Sequence, residues 1–273
     1  MTELPPIAEY FDDEPIVAPA GMHSAEIKID SKIKTAFCTF LCENIDAALL
    51  KQILKDCQLL FYVFGRSGKV PVFQYKQNCL IVLMTVGSPV ATAVVEELKY
   101  LGVENIIAYG TAGQLDAHLP SDACVLLEKA IRDEGASYHY LAPSTYVETD
   151  RDLTDWLEKF LRSGGMNVVR GITWTTDGLF RETKQRCAKR RAQGAVTVEM
   201  ECAGFAAAAQ RLGLRFAEFV FFSDTLVNVE SWQFFGEQKQ ADARRSLKVT
   251  LLQALINSKI KLPISYESQL LSF

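Results

Sequence analysis

Between Thr35 and Asn257 the chain alternates short runs of β-branched and aromatic residues with segments whose apolar residues recur at helical spacing. This alternation limits the fold more than any other feature. Strands are expected over Thr35–Phe40, Leu59–Phe64, Val70–Tyr75, Cys79–Thr85, Val103–Tyr109, Ala123–Leu127, Val168–Trp174, Val196–Val198 and Phe216–Phe222. Helices are expected over Ile45–Cys57, from Ala91 to Leu101, and over Asp152–Leu161, Glu182–Gln193, Cys202–Leu212 and Ala241–Asn257. Strands and helices of these lengths in alternation imply an α/β fold whose mixed, largely parallel sheet is covered by helices on both faces. Residues 1–30, rich in proline and acid, read as an N-terminal arm. No linker divides residues 31–273, which read as one catalytic domain.

Several function classes recede on composition. A net charge of -4 without a basic block makes nucleic acid a poor partner. The seven cysteines, at 38, 42, 57, 79, 124, 187 and 202, lie mostly in apolar runs without a CxxC pair, as expected of small core residues in a reduced compartment. His23, His118 and His139 are scattered, so no metal site is expected. The acidic N-terminus lacks a secretory pattern, and a cytoplasmic protein is expected. Gln77 to Val95 is uncharged, but Gly87-Ser88-Pro89 divides it into strand, turn and helix start, so no membrane span is expected there. Gly65-Arg66-Ser67-Gly68-Lys69 lacks the leading glycine and the Ser/Thr of a phosphate-binding loop.

In folds of this kind ligands collect at the carboxyl ends of strands, where helix N-termini point free N–H groups into a crevice. Three segments there carry polar chemistry. Gly110-Thr111-Ala112-Gly113, expected as a loop after its strand, allows close backbone approach to an anion or sugar and adds the Thr111 hydroxyl; a tight turn explains the glycines equally well. Val198-Glu199-Met200-Glu201 sits at a helix entry. Either glutamate could bind a ribose diol through charge-assisted hydrogen bonds, or both could complement the helix dipole. Ser223-Asp224 follows an aromatic strand end, where Asp224 is a candidate general acid or a helix N-cap.

Together with Val86-Gly87-Ser88-Pro89, Ala130-Ile131-Arg132-Asp133-Glu134-Gly135-Ala136-Ser137-Tyr138-His139-Tyr140 and Thr176-Asp177, these segments form an ordered set that resembles the nucleoside phosphorylase family, from about Val82 to Leu226. The resemblance implies a single α/β domain with a mixed, partly barrel-like central sheet. It implies cleavage of a nucleoside, with inorganic phosphate as co-substrate and no other cofactor, in a homo-oligomer such as a dimer or hexamer. By the same resemblance Met200 and Glu201 hold the ribose, with Glu201 on the 2′- and 3′-hydroxyls, and Glu199 supports the pocket. Asp224, beside Ser223, matches the acid that protonates a purine at N7. Gly87 and Thr111 face phosphate, with Ala112 and Gly113 beside them.

Departures from the family pattern bear on the chemistry. Ala108 stands where these phosphorylases carry an arginine two residues before Gly110, and the Gly-Asp-Pro-x-Arg signature is absent. Arg66, Lys69 or Arg132 are the cations available as replacements. Leu179 aligns with the ring that stacks on the base, leaving Phe180 or Trp174 for that role. A purine phosphorylase is the first expectation, a nucleosidase using water the second, and a silent nucleoside-binding protein the third.

Overall fold

The alternation becomes one mixed sheet in the computed structural model, which describes residues 15–41, 47–65, 69–227, 233–234 and 238–258. In chain order the elements are α1 (Pro19–Met22), β1 (Thr35–Thr39), α2 (Ala47–Lys55), β2 (Cys57–Val63), β3 (Val70–Tyr75), β4 (Cys79–Leu83), α3 (Ser88–Tyr100), β5 (Asn105–Gln114) and β6 (Cys124–Asp133). There follow β7 (Tyr146–Glu148), α4 (Arg151–Ser163), β8 (Val168–Thr176), α5 (Lys184–Ala192), β9 (Ala195–Glu199), α6 (Cys202–Leu212), β10 (Arg215–Thr225), β11 (Gln233–Phe234) and α7 (Gln238–Asn257). The start of the expected Ile45–Cys57 helix lies outside the described residues.

The strand order is β11-β10-β6-β8-β9-β5-β1-β4-β3-β2, and a further parallel pairing joins β10 to β5. That pairing closes β5, β10, β6, β8 and β9 into a five-stranded barrel, from which β1, β4, β3 and β2 extend as an open wing. Closure also explains where the sequence reading cut the strands short. β5 runs through Gly110-Thr111-Ala112-Gly113, which is therefore strand and not a loop. β10 runs through Ser223-Asp224, with a bulge between Phe222 and Asp224. The glycines serve close packing: a Cβ on Gly110 would stand 2.9 Å from the Phe40 ring, and one on Gly113 would stand 2.9 Å from Val198 Cγ1.

Helices cover both faces. One layer packs Val94, Val95, Leu98, Phe205 and Ala206 of α3 and α6 against Val82, Ile106 and Val220. The other packs Leu50, Leu157 and Leu252 of α2, α4 and α7 against Phe37, Ile81 and Phe219. α6 is buried over Cys202–Ala209, and its small residues let it lie close against its neighbours. It ends at Gly213, whose φ of 69° is the left-handed stop a glycine adopts readily. The described part of the arm docks on α3, where His23 Nε2 lies 2.8 Å from Glu97 and its ring meets Phe61 and Tyr100. Among the described residues no helix is long and apolar enough to cross a membrane.

Candidate active site

The site is assembled where α6 meets the start of α3. Gly204, in the first turn of α6, makes this approach possible, since a Cβ there would lie 2.9 Å from Ser88 Cβ and 3.1 Å from Ser88 O. Ser88 Oγ in turn donates to Met200 O at 2.8 Å. Gly87 caps α3 with φ 116°, a conformation open to glycine, and its N–H donates to Glu201 Oε1 at 2.5 Å. Met200 N–H reaches Glu201 Oε2 at 3.3 Å. Glu201 thus places a carboxylate at the positive end of α3. It is only 6% exposed.

Glu199 points the other way. Its Oε1 accepts from Thr173 Oγ1 at 3.1 Å and Thr175 Oγ1 at 2.6 Å, and its Oε2 accepts from the N–H groups of Glu201 and Cys202, both at 2.7 Å. Four hydrogen bonds make Glu199 the brace of the Glu199–Cys202 turn, so each glutamate complements a helix N-terminus, Glu199 that of α6 and Glu201 that of α3. Burial raises the Glu199 carboxyl against the lowering pull of those bonds. Burial, then the charge of Glu199, pushes Glu201 up to about 8, opposed by the Gly87 and Met200 amides.

A third buried carboxyl was not singled out in the sequence. Glu218 lies inside the aromatic strand β10, 1% exposed, with no hydrogen-bond partner on Oε2. An acid within Phe216–Phe222 was the signal that could have found it. Burial first, then the charges of Glu199 and Glu201, raise it well above the usual carboxylate range, which favours its protonated form. In register it stands beside Ala108 of β5, which pairs on its other side with Cys38 of β1. Where an arginine would sit in the resembling phosphorylases, this chain has a methyl group with a buried acid as neighbour.

The opposite end of the site is built on β10. Asp224 pairs with Gly113 of β5 and Phe234 of β11, and so is a strand residue and not an N-cap. Ser223 Oγ lies 2.6 Å from Asp224 Oδ1 and 3.3 Å from Ala112 O. Asp224 Oδ2 lies 3.4 Å from where a Gly113 Cβ would stand. Gly113, Val198 and Asp224 therefore converge where β5, β9 and β10 meet. Glu182, just before α5, is a further residue the sequence did not flag; burial and then the charge of Asp224 push it up to about 7. Asp177, whose Oδ2 accepts from Gly135 N–H at 2.8 Å, adds its charge near Glu201.

Other candidates fall elsewhere. Arg132 does not serve as a replacement cation, because Ser137 Oγ, Leu141 O, Ala142 O and Ser144 Oγ take its N–H groups while it stacks on Tyr138. Trp174 is fully buried, with Nε1 donating to Asp133, and offers no ring to a base. Phe180 is 94% exposed and covers nothing in this state. Thr111 and Lys69 are exposed, and Arg66 lies outside the described residues. Among the described residues no His, Cys, Asp and Glu group is arranged to hold a metal ion.

A closed barrel with an open wing, carrying carboxylates at the carboxyl ends of β9 and β10, defines a nucleoside phosphorylase-like scaffold. Residues 46–256 match the family described as the Phosphorylase superfamily, and the chain belongs to it. A guanosine phosphorylase of Halorubrum lacusprofundi is 26% identical over 193 residues, covering 68% of this chain and 80% of the relative. The uridine phosphorylase structure of Vibrio fischeri superposes with a TM-score of 0.64 at 21% identity, covering 84% of this chain and 92% of its own. A futalosine hydrolase mutant of Helicobacter pylori gives a TM-score of 0.65 at 15% identity, covering 82% and 99%. Phosphorylases and a hydrolase thus share this fold.

Proposed function

We propose that the chain cleaves the N-glycosidic bond of purine nucleosides, with Glu201 holding the ribose diol and Asp224 protonating the departing base. The observation that carries this reading is the Glu201 carboxylate set on Gly87 N–H at the α3 N-terminus, with Asp224 two strands across, where Gly113 of β5 pairs with Val198 on one side and Asp224 on the other. An ionised Glu201 accepts from both hydroxyls of a ribose diol and stabilises positive charge growing on the sugar. A proton delivered from Asp224 to N7 lets the base leave neutral as C1′–N9 breaks. Met200, Gly87 and Ser223 position these two groups.

The geometry favours water as the nucleophile. A phosphate dianion would enter a region where Ala108 replaces a cation and Arg132 is already engaged. Phosphorolysis is the second reading, favoured by the phosphorylases among the relatives, with the Gly87 amide and the Thr111 hydroxyl as donors. Incubation with inosine, adenosine, guanosine and uridine, with and without phosphate, separates them. Free ribose at an unchanged rate supports hydrolysis, and ribose 1-phosphate with strict phosphate dependence sinks it. No base released from any nucleoside removes both readings and leaves a binding protein.

A further inference from the structure

We propose that the described part of the N-terminal arm is a strap, bolted by the His23–Glu97 pair, that holds α3 in the rotation presenting Gly87 N–H to Glu201. Its effect on turnover rests on the reading of Glu201 as the ribose grip; the strap itself does not.

The arm lies outside residues 46–256, which match the family. It is seated along its length. Ile33 is buried, and Ile27 and Ile29 pack on the cluster that also holds Ala91, Val94, Val95 and Leu98 of α3. Between them Asp30 Oδ1 accepts from Lys32 N–H at 2.9 Å and fixes the turn. At the outer end His23 Nε2 lies 2.8 Å from Glu97 Oε2, their side chains 10% and 9% exposed. The imidazole stands edge-on to Phe61 of β2, with centroids 4.6 Å apart, and stacks on Tyr100 of α3 at 6.0 Å. One side chain thus joins the arm, the last turn of α3 and the terminal strand of the wing.

Apolar contacts are non-directional and let a helix turn in its seat, whereas hydrogen bonds fix its rotation. At the start of α3 such bonds run from Gly87 N–H to Glu201 and from Ser88 Oγ to Met200 O. Tyr140 bonds with Thr92 and Glu96 at mid-helix, and His23 with Glu97 in the last turn. Glu97 is buried, so loss of His23 strands a carboxylate without its counterpart, a strongly destabilising arrangement. Turning α3 toward solvent relieves it. The backbone ladder makes the 13 residues of α3 turn as one rod, and the same rotation draws Gly87 N–H away from Glu201 Oε1.

The test is amide hydrogen exchange, read by mass spectrometry over peptides covering the arm, the start of α3 and β8, in the wild type, His23→Ala and His23→Ala/Glu97→Gln. His23→Ala is expected to speed exchange in the arm and at the start of α3, Gly87 included, by roughly 10–100-fold, the worth of one hydrogen bond to a charged group, with β8 unchanged. Glu97→Gln in that background removes the stranded charge and is expected to return the start of α3 toward the wild-type rate while the arm stays free. A merely structural loss would speed β8 alongside and would not be reversed by the second substitution. Unchanged exchange at the start of α3 once the arm is free overturns the strap, as does an arm that stays protected without His23. If His23→Ala does not fold, His23→Phe keeps the ring contacts, removes the bond and is judged by the same outcomes. Where a nucleoside is cleaved, its KM is expected to rise in His23→Ala; faster exchange with an unchanged KM upholds the strap and removes Glu201 from the ribose grip.

Discussion

Replacing Glu201 by glutamine should stabilise the fold in alkali while destroying function. A carboxyl displaced from 4.5 to about 8 by burial and by Glu199 binds its proton more tightly in the folded chain than in the unfolded one. The sign follows from linkage. Below the unfolded value both states are protonated and nothing is lost; between 4.5 and about 8 only the unfolded state ionises; above about 8 the whole penalty of burying the charge is present. That displacement corresponds to about 5 kcal/mol at full extent, an upper figure because Glu199 and Glu218 share the same protons. The amide introduced by Glu201→Gln does not titrate. It keeps an oxygen for Gly87 N–H and forgoes the 3.3 Å contact with Met200 N–H, an offset that does not vary with pH. The stability difference between variant and wild type should therefore widen from pH 5 to pH 8 and then level off. Thermal unfolding at both ends of that range should show about 5–15 °C of relative gain for a chain of this size. Turnover should fall by at least roughly 100-fold, as the charge-assisted grip on the sugar is lost. A stability difference constant from pH 5 to pH 9 would refute the assignment of Glu201 as a buried acid.

Asp224→Asn keeps the shape of the strand end but carries no transferable proton, so purine nucleoside cleavage should drop by roughly two to four orders of magnitude. A nucleoside whose base leaves without protonation should be spared, and equal losses in a side-by-side rate comparison would make Asp224 structural. Gly204→Val pushes a side chain into Ser88, 2.9 Å from the glycine's virtual Cβ, and should cost about 2–3 kcal/mol by denaturant unfolding. By moving α6 off α3 it should also lower kcat more than a distant core substitution of equal cost.

Local signals reached some elements in full. β3 and α6 were legible to the residue, the first from its β-branched run and the second from small apolar residues closed by Gly213. β5 and β10 were not, because their continuation past Gly110 and Phe222 depends on the Thr225 to Gln114 end of a barrel pairing between segments about a hundred residues apart. The Glu199–Glu201 turn was visible as chemistry, yet the division of labour within it required Thr173, Thr175 and Gly87 to be in place. Arg132 looked available because nothing in its spacing reveals that the carbonyls of Leu141 and Ala142 curl back onto its guanidinium. Glu182 carried no local signal at all; the Asp224 charge that helps raise its carboxyl comes from a residue distant in sequence.

The gathering of Glu199, Glu201 and Glu218 in an apolar layer is costly to the empty protein and has a use in the reaction. Burial favours the protonated forms of these carboxyls, and Ala108 at the expected cation position brings no positive charge to draw them into ionising. A neutral nucleoside leaves that balance unchanged, and a phosphate dianion would oppose ionisation further. On the proposed reading, the sugar in the transition state, carrying positive charge near C1′, would supply that positive charge at the moment the glycosidic bond breaks. As that charge grows, the ionised form of Glu201 is favoured over the protonated form that burial imposes on the empty site. The grip on the ribose diol therefore strengthens as the reaction advances, which is the difference between ground state and transition state that accelerates a chemical step. On that reading water, which brings no charge of its own, would leave this electrostatic gain intact.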